Sequence, residues 1–243
     1  MIVLETIGSG SSGNSYVIQY NEELFLVDLG LDEKTIKIAI DFKINKIVGC
    51  ISTHGHIDHS KSVKDFKRIC EVFSPYEFEI KKPHKRQLGS FKVTALPMLD
   101  KSMQHWQHTN GDGSECPCYA FLIEVDNQKL FYVTDTKLCV WNLKNEKIDH
   151  FLIGMNYVSD GIDNYKRKHV LTGHLNIDTC KGIIEANRTD HLQSVILCHL
   201  SADIDKPIEI INDIKKVAGK GVCVDYAKRG KSWELRGKGE VPF

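Results

Sequence analysis

The segment 54–59 reads His-Gly-His-Ile-Asp-His and gathers three imidazoles and one carboxylate within six residues. It directly follows the apolar run 47–51, which is typical of a buried strand. Imidazole nitrogens and carboxylate oxygens bind zinc and related ions at about 2.0–2.2 Å. The spacing predicts that His54 and His56 bind one ion, while Asp58 and His59 point to a neighbouring position. A plain surface cluster of histidines is the alternative, which the position directly after a strand disfavours.

The composition is that of an ordinary globular protein. Of the 243 residues, 42% are hydrophobic and 26% are charged, which suits a buried core. The length suits one large domain or two small ones, and one domain over residues 1–243 is favoured. Lys plus Arg and Asp plus Glu both number 32, so the formal net charge is zero. A protein that mainly coats nucleic acid would be strongly basic, and this balance argues against that class.

The sequence predicts no membrane partner and a cytoplasmic location. No apolar run approaches the roughly 18 residues that a membrane span needs, and the first residues lack the pattern of an export signal. The eight cysteines are scattered, mostly in apolar surroundings. We therefore expect them to be reduced, buried thiols.

Short apolar runs separated by turn residues predict strands first and then alternating helices and strands, once in each half of the chain. Strands are predicted at 2–6, 15–20, 24–28, 46–52, 91–96, 119–125, 130–134, 151–154, 194–198, 221–224 and 232–235, and helices at 32–42, 179–187 and 207–217. This order favours an α/β (α+β) fold of two halves, with the sheets inside and the helices outside.

His54-x-His56-x-Asp58-His59 resembles the signature of the metallo-β-lactamase-fold hydrolases. The resemblance implies a four-layer αββα sandwich with a one- or two-metal site at the edges of the sheets. Three further residues follow apolar runs in the order that this family shows: Asp28, Asp135 and His199. By resemblance, Asp28 orients the site, Asp135 bridges two metals and His199 completes the second metal.

One histidine of the family pattern is missing from its usual place. The family supplies a first-metal histidine just after a middle strand, commonly followed by Asp, whereas here no histidine stands beside Asp100. His105 and His108, in the polar loop 98–117, are the candidates. We favour His108, because the turn that follows it leads back to the strand near residue 119; His105 would then pack or contact substrate.

The segments 8–16 and 173–176 resemble those of WalJ/YycJ-type members, which are regarded as nucleases or phosphodiesterases. A turn rich in Gly and Ser can hold a phosphate through its N–H and hydroxyl groups, and a tight strand connection is the equal alternative. The resemblance implies substrate-binding and leaving-group roles for Ser12, Asn14, Asn176 and His174. His174 could equally be a structural side chain.

The sequence thus favours a metal-dependent phosphodiesterase or nuclease, in which a His/Asp dinuclear site holds a hydroxide and Asp58 also serves catalysis. Two divalent ions are implied, with zinc favoured and manganese or iron as alternatives. The substrate is a phosphodiester, with nucleic acids and nucleotides as candidates. The basic segments 81–86 and 165–169 either touch phosphates or are solvated faces. Hydrolysis of a thioester, lactone or other carbonyl ester, and metal binding without catalysis, are the competing hypotheses.

Overall fold

The computed structural model describes residues 1–78, 80–100, 102–104, 108–156, 175–200 and 207–239. Two mixed β-sheets pack face to face, with helices on their outer faces. The six-stranded sheet consists of β1 (Ile2–Gly8), β2 (Ser15–Tyr20), β3 (Glu23–Val27), β4 (Ile47–Ile51), β5 (Val72–Phe73) and β13 (Ser232–Leu235). Its strand order is β13-β1-β2-β3-β4-β5, in which β3, β4 and β5 run parallel to one another.

The seven-stranded sheet has the order β12-β11-β10-β9-β8-β7-β6. Its strands are β6 (His84–Leu88), β7 (Phe91–Pro97), β8 (Tyr119–Val125), β9 (Gln128–Val133), β10 (His150–Gly154), β11 (Ser194–Cys198) and β12 (Cys223–Tyr226). Strands β9 to β12 are mutually parallel, and β6 to β9 pair antiparallel. The carboxyl ends of β9 to β12 therefore meet at one edge, which is where sites form in parallel sheets.

The helices cover both outer faces. They are α1 (Glu33–Ala39), α2 (Ile57–Ser60), α3 (Val63–Phe66), α4 (Ile177–Asn187) and α5 (Pro207–Ala218), with short 3-10 turns at Ile44–Lys46, Pro75–Phe78 and Lys144–Glu146. The segment Pro207–Ala218 is amphipathic and places Ile210 and Ile214 in the core. This is the arrangement expected of a surface helix on a sheet.

Three apolar clusters stabilise the layers. One lies between the sheets, where Phe25 stacks on Phe91 with ring centroids 4.8 Å apart. A second joins α4 and α5 to the seven-stranded sheet, and a third joins α1 and α3 to the six-stranded sheet. The alternation of helix, sheet, sheet and helix confirms the predicted αββα sandwich.

The predicted helices and strands are all present, with bounds that differ by a few residues. The sequence analysis missed β5, β6 and the short helices α2 and α3. The basic segment 81–86 enters the edge strand β6, where the Arg86 guanidinium lies 5.5 Å from the Phe73 ring centroid. The other basic segment, 165–169, lies outside the described residues.

All eight cysteines are described, and none of them forms a disulfide. Among the helices that the structure describes, none combines the length and hydropathy needed to cross a bilayer.

Candidate metal centre

The carboxyl ends of the parallel strands of both sheets converge on one edge of the sandwich. Asp28 directly follows β3, Asp135 lies two residues beyond β9, and His199 directly follows β11. All three adopt left-handed backbone conformations, with φ of 56°, 45° and 51°. Such conformations cost free energy in residues other than glycine and concentrate at functional sites. The backbone thus turns sharply at each strand end and directs a polar side chain across the edge.

The histidine-rich segment continues from β4 into α2. His54 lies in the loop, His56 is the N-cap residue of α2, and Asp58 and His59 occupy its only turn. Because α2 begins within the motif, the backbone changes from extended at His56 to helical at Ile57. As a result, His54 and His56 face one position while Asp58 and His59 face the next, as the spacing predicted.

The first group consists of His54, His56 and His108. One ring nitrogen from each lies within 4.8 Å of the others, and the ring centroids of His56 and His108 are 4.4 Å apart. His108 Nε2 lies 2.8 Å from His56 Nδ1. His54 and His108 are buried, whereas His56 is partly exposed. The structure therefore places His108 where the sequence analysis expected the histidine that completes a three-histidine set.

A small hairpin holds His108 in place. The Cys116 N–H donates to the His108 carbonyl oxygen at 3.1 Å, and Thr109 pairs with Glu115 as an antiparallel bridge. At the other end of this segment, the Tyr119 N–H donates to the Thr53 carbonyl oxygen beside His54. The returning strand thus ties the loop to the histidine motif.

The second group consists of Asp58, His59 and His199, with Asp135 between the two groups. His59 Nε2 lies 2.8 Å from Asp135 Oδ2, and His199 Nε2 lies 3.2 Å from Asp58 Oδ2 and 3.4 Å from Asp135 Oδ2. Asp135 also shares a set of mutually close ligand atoms with His54 and His59. This carboxylate can therefore reach ions at both positions.

Asp28 organises the site from beneath. Its buried carboxylate accepts hydrogen bonds from the Thr53 N–H at 2.8 Å and the Tyr132 hydroxyl at 2.5 Å, and His59 Nδ1 lies 2.6 Å away. A carboxylate on the far nitrogen of an imidazole fixes the ring and increases its basicity as a ligand. Asp28 therefore directs His59 Nε2 towards the second position.

Thr53 orients His54 in the same way, through a hydrogen bond to the imidazole nitrogen that faces away from the metal position. Its hydroxyl lies 3.1 Å from both Asp28 carboxylate oxygens and 3.0 Å from His54 Nδ1. The hydroxyl has one proton, which the carboxylate accepts, so the hydroxyl oxygen accepts from the His54 Nδ1–H. His54 Nε2 then carries a lone pair. This atom is fully buried, and no hydrogen-bond partner for it exists among the described residues.

These residues fit divalent metal ions. An unpartnered buried imidazole nitrogen is costly, and ligation would satisfy it. Asp58 Oδ2 and Asp135 Oδ2 both lie within 3.4 Å of His199 Nε2. Two ionised carboxylates this close together need positive charge between them. A donor set of imidazoles and carboxylates suits zinc, manganese or iron. The His/Asp clusters are therefore able to bind metal ions.

The electrostatics separate the three histidines of the motif. Burial lowers the pKa of His54 well below its ordinary value, and His59 and His108 lower it further. Burial also lowers the pKa of His56. Burial opposes protonation of His59 as well, but Asp28 and Asp135 outweigh it and raise the His59 pKa well above its ordinary value. Neutral imidazoles are ready to ligate at the first position, and the carboxylates attract positive charge at the second.

The Gly/Ser-rich turn after β1 packs against the second group. Asn14 is buried, and its amide nitrogen lies 3.1 Å from His59 Nε2 and donates to the Gly10 carbonyl oxygen. Its side-chain oxygen accepts from the Gly10 N–H. The Ser9 hydroxyl accepts from the His199 N–H at 2.9 Å. Asn14 is therefore placed to position His59, and its predicted role in substrate binding stays a prediction.

The remaining residues predicted from the sequence to serve the site lie outside the two ligand groups or outside the described residues. Asn176 is the N-cap of α4 and accepts from the Thr179 N–H at 2.7 Å, and its role in substrate binding stays a prediction. Ser12 is exposed on the Gly/Ser-rich turn, and its role in substrate binding stays a prediction. His174 and His105 lie outside the described residues.

Sequence reasoning gave no role to Asn156. Its amide nitrogen lies 2.9 Å from His199 Nδ1 and donates to Asp135 Oδ1 at 3.1 Å. It follows β10 at the same sheet edge as Asp135 and His199. A polar residue after the third parallel strand was the signal that could have revealed it.

Comparison with known proteins agrees with this fold. Residues 8–99 match the family "Metallo-beta-lactamase superfamily". The metallo-β-lactamase-fold protein YhfI from Bacillus subtilis is 17% identical, covers 96% of this chain and 98% of its own, and gives a TM-score of 0.70. A diphosphatase of the PhnP family is 14% identical over 98% of this chain and 99% of its own, with a TM-score of 0.61. The short form of human tRNase Z is 13% identical over 96% and 99%, with a TM-score of 0.62. None of the curated proteins compared with the chain matches it.

The chain therefore has the metallo-β-lactamase fold, with its His/Asp cluster at the edge where the two sheets meet. The resemblance drawn from residues 54–59 is confirmed at the level of the fold, and these residues lie within the matched segment 8–99. The narrower resemblance to WalJ/YycJ-type members stays a prediction.

Proposed function

We propose that the protein is a metal-dependent phosphodiesterase that uses two divalent ions, with zinc favoured. The observation that carries the proposal is the convergence of two ligand groups on either side of Asp135: His54, His56 and His108 on one side, and Asp58, His59 and His199 on the other. Bound ions in such a pair make water a nucleophile near neutral pH and polarise phosphoryl oxygens. The likeness to a diphosphatase and to tRNase Z supports phosphate chemistry.

The chain's own residues set the geometry of this reaction. Asp58 is partly exposed, with 23% of its side chain accessible, and it lies at the open side of the cluster, so it is suited to orient the attacking water. Thr53 and Asp28 fix the imidazoles from the buried side. His174 stays a candidate for protonating the leaving oxygen. The substrate class is a phosphodiester, with nucleotides and nucleic acids as the candidates.

The two competing hypotheses lose support for different reasons. Metal binding without catalysis would be favoured if the first position lacked its third histidine, but His108 lies beside His54 and His56. Hydrolysis of a carbonyl ester would need no anion-binding groups beside the ions. Here, the Gly/Ser-rich turn and the basic side chains of Lys228 and Arg229 line a cavity next to His199.

The test is hydrolysis by the purified, metal-loaded protein of bis-p-nitrophenyl phosphate, p-nitrophenyl acetate and a thioester. We expect turnover of the phosphodiester that a chelator abolishes and that added zinc or manganese restores. Asp58→Asn should lower this turnover by about 100-fold or more, while the matched exposed variant Asp178→Asn on α4 should leave it unchanged. Efficient acetate or thioester hydrolysis without phosphodiester turnover would contradict the proposal.

A further inference from the structure

A cavity of about 650 Å³ opens beside the second ligand group. The turn after β1 forms one wall through Ser9 and Ser12, and the segment that joins β12 to β13 forms another through Lys228 and Arg229. Ser9 accepts a hydrogen bond from the His199 N–H, so the cavity begins at a residue of the proposed metal centre. Its volume lies within the range of small-molecule sites, about 300–1,000 Å³.

The basic side of the cavity carries charge that the protein does not neutralise. Lys228 and Arg229 are exposed, and neither forms an ion pair with an acidic group among the described residues. Their neighbour Lys231 differs, because its ammonium group lies 2.7 Å from Asp225 and 4.8 Å from the Tyr226 ring centroid. Positive charge at the rim of a concave site attracts anions, and an arginine can bind a phosphate through two parallel hydrogen bonds.

Among the described residues, the wall opposite the basic side chains is apolar and includes an aromatic ring. Leu31, Leu200, Pro207 and Tyr226 line it, and all four are partly exposed. An apolar wall opposite a basic rim fits a ligand with a flat apolar part and an anionic part. A nucleoside monophosphate has both parts, since its base can contact leucine and tyrosine side chains while its phosphate meets the guanidinium.

The walls are held in fixed positions. A Cβ on Gly13 would lie 2.6 Å from the Gly30 carbonyl oxygen, so the turn after β1 packs tightly against the segment that follows β3. On the opposite side, the Gly230 N–H donates to the Thr6 carbonyl oxygen, and the Ala227 N–H donates to the Leu197 carbonyl oxygen. These bonds tie the segment that carries Lys228 and Arg229 to both sheets. A preformed site loses less free energy on binding than a flexible one.

We propose that this cavity binds a nucleoside monophosphate unit of the substrate adjacent to the scissile bond, with the phosphate on Arg229, Lys228 and Ser12 and the base against Leu31 and Tyr226. The substrates of this protein are therefore nucleotide phosphodiesters that carry a second phosphate. The inference rests on the proposed function for its place in the reaction, but binding at the cavity can be measured without hydrolysis.

The first experiment measures binding of 5′-AMP, adenosine and inorganic phosphate to the full-length, metal-loaded protein by isothermal titration calorimetry. We expect 5′-AMP to bind more tightly than either fragment. Arg229→Gln should weaken 5′-AMP binding by about tenfold or more, because it removes a charge-assisted contact. Lys220→Gln is the matched control, since Lys220 is also exposed and lines a cavity, but that cavity lies at the other end of α5, beside Ala218 and Arg188.

The second experiment measures the hydrolysis of two different substrates by the same variants. Arg229→Gln should raise KM for a 5′-phosphorylated dinucleotide about tenfold more than it raises KM for bis-p-nitrophenyl phosphate, because the latter has no second phosphate, and Lys220→Gln should change neither. Equal 5′-AMP affinity in Arg229→Gln and Lys220→Gln would overturn the inference. If phosphodiester hydrolysis failed in every variant while the difference in 5′-AMP affinity remained, the proposed function would be wrong and the nucleotide site would stand.

Discussion

His59 and Asp28 form a fully buried pair in which His59 Nδ1 lies 2.6 Å from the Asp28 carboxylate, with neither side chain accessible to solvent. Burial disfavours a charged His59, but Asp28 and Asp135 raise its pKa well above the ordinary value. Strand β3 supplies one partner and the short helix α2 the other. The pair therefore fixes the motif to the sheet at the point where the second ligand group forms.

Replacement of Asp28 tests this relationship. Asp28→Asn removes the negative charge beside His59 Nδ1 and leaves the buried imidazole with a neutral amide as a weaker acceptor, so we expect metal affinity to fall about 10- to 100-fold. The free energy of unfolding should fall by about 3 kcal/mol, as for other broken buried pairs. Metal titration and urea unfolding measure the two effects.

Tyr132→Phe is the matched control for that variant. It removes the hydroxyl that donates to the same carboxylate at 2.5 Å but leaves the charge and His59 in place. We expect a loss of about 1–2 kcal/mol in stability and little change in metal affinity. If both variants bound metal as the wild type does, Asp28 would have no role in orienting the site.

The middle histidine provides the second prediction. His108→Ala should weaken metal binding more than His105→Ala, because His108 lies beside His54 and His56 in the three-histidine group. Chelation should also increase hydrogen exchange across residues 98–117, since ligation offsets part of the ordering cost of that loop. A larger loss of metal in His105→Ala would show that the wrong histidine has been assigned.

The close contact between Gly30 and Asp58 gives a third prediction. A Cβ on Gly30 would lie 1.8 Å from the Asp58 carbonyl oxygen, so Gly30→Ala must displace the backbone of α2. We expect a loss of about 3 kcal/mol or more and weaker metal binding at the second position. Gly182 provides the contrast: it is exposed on α4, and an added Cβ meets nothing within 4 Å.

Gly182→Ala should therefore raise the free energy of unfolding by about 1 kcal/mol, since alanine is the better helix former. Both variants can be compared by thermal unfolding in the presence of chelator and of metal. Similar stabilities for Gly30→Ala and the wild type would show that the backbone around Asp58 is less tightly packed than the structure indicates.

The fourth prediction concerns pH and a histidine outside the metal centre. Burial lowers the pKa of His150 from 6.5 to about 4. His150 binds a proton more readily in the unfolded chain than in the folded one. The stability that neutral His150 contributes is therefore fully present above pH 6.5 and is lost as the pH falls towards 4. His150 should contribute about 2 kcal/mol to the loss of stability between about pH 7 and pH 5.

The contribution of His150 can be isolated in His150→Asn. Its ring nitrogens lie 2.8 Å from Ser194 Oγ and 3.2 Å from Gln128 Oε1, so the variant will be less stable at neutral pH. Its unfolding free energy should nevertheless fall less steeply than that of the wild type between those pH values. Parallel curves for the two proteins would contradict the assignment.

The sequence predicted the fold because its local patterns agree with its tertiary structure. Apolar runs such as that of β11 (Ser194–Cys198) are buried on both faces, as strands in the middle of a covered sheet require. The edge strand β6 has mostly exposed side chains and could not be recognised, because an edge strand on the surface carries little apolar signal. The same exposure made its basic residues look like a solvated face.

The part of the candidate site that lies in one short segment was predictable from the sequence. The hydrogen bonds between residues far apart in the chain were much harder to predict. Segment 54–59 has a local spacing that fixes its ligand geometry. By contrast, only the folded chain shows the Asn14 amide beside His59. Asn156 contacts Asp135 and His199 across strands that are far apart in sequence, which periodicity cannot reveal.

The metal content of the purified protein tests the central claim most directly. Elemental analysis should find about two equivalents of divalent metal per chain in the wild type. In His56→Ala, it should find no more than about one, with loss of bis-p-nitrophenyl phosphate hydrolysis and an unchanged circular dichroism spectrum. His191→Ala, which alters a histidine outside the ligand groups, should match the wild type. Full metal content in His56→Ala, or undiminished hydrolysis by metal-free wild type, would contradict the account.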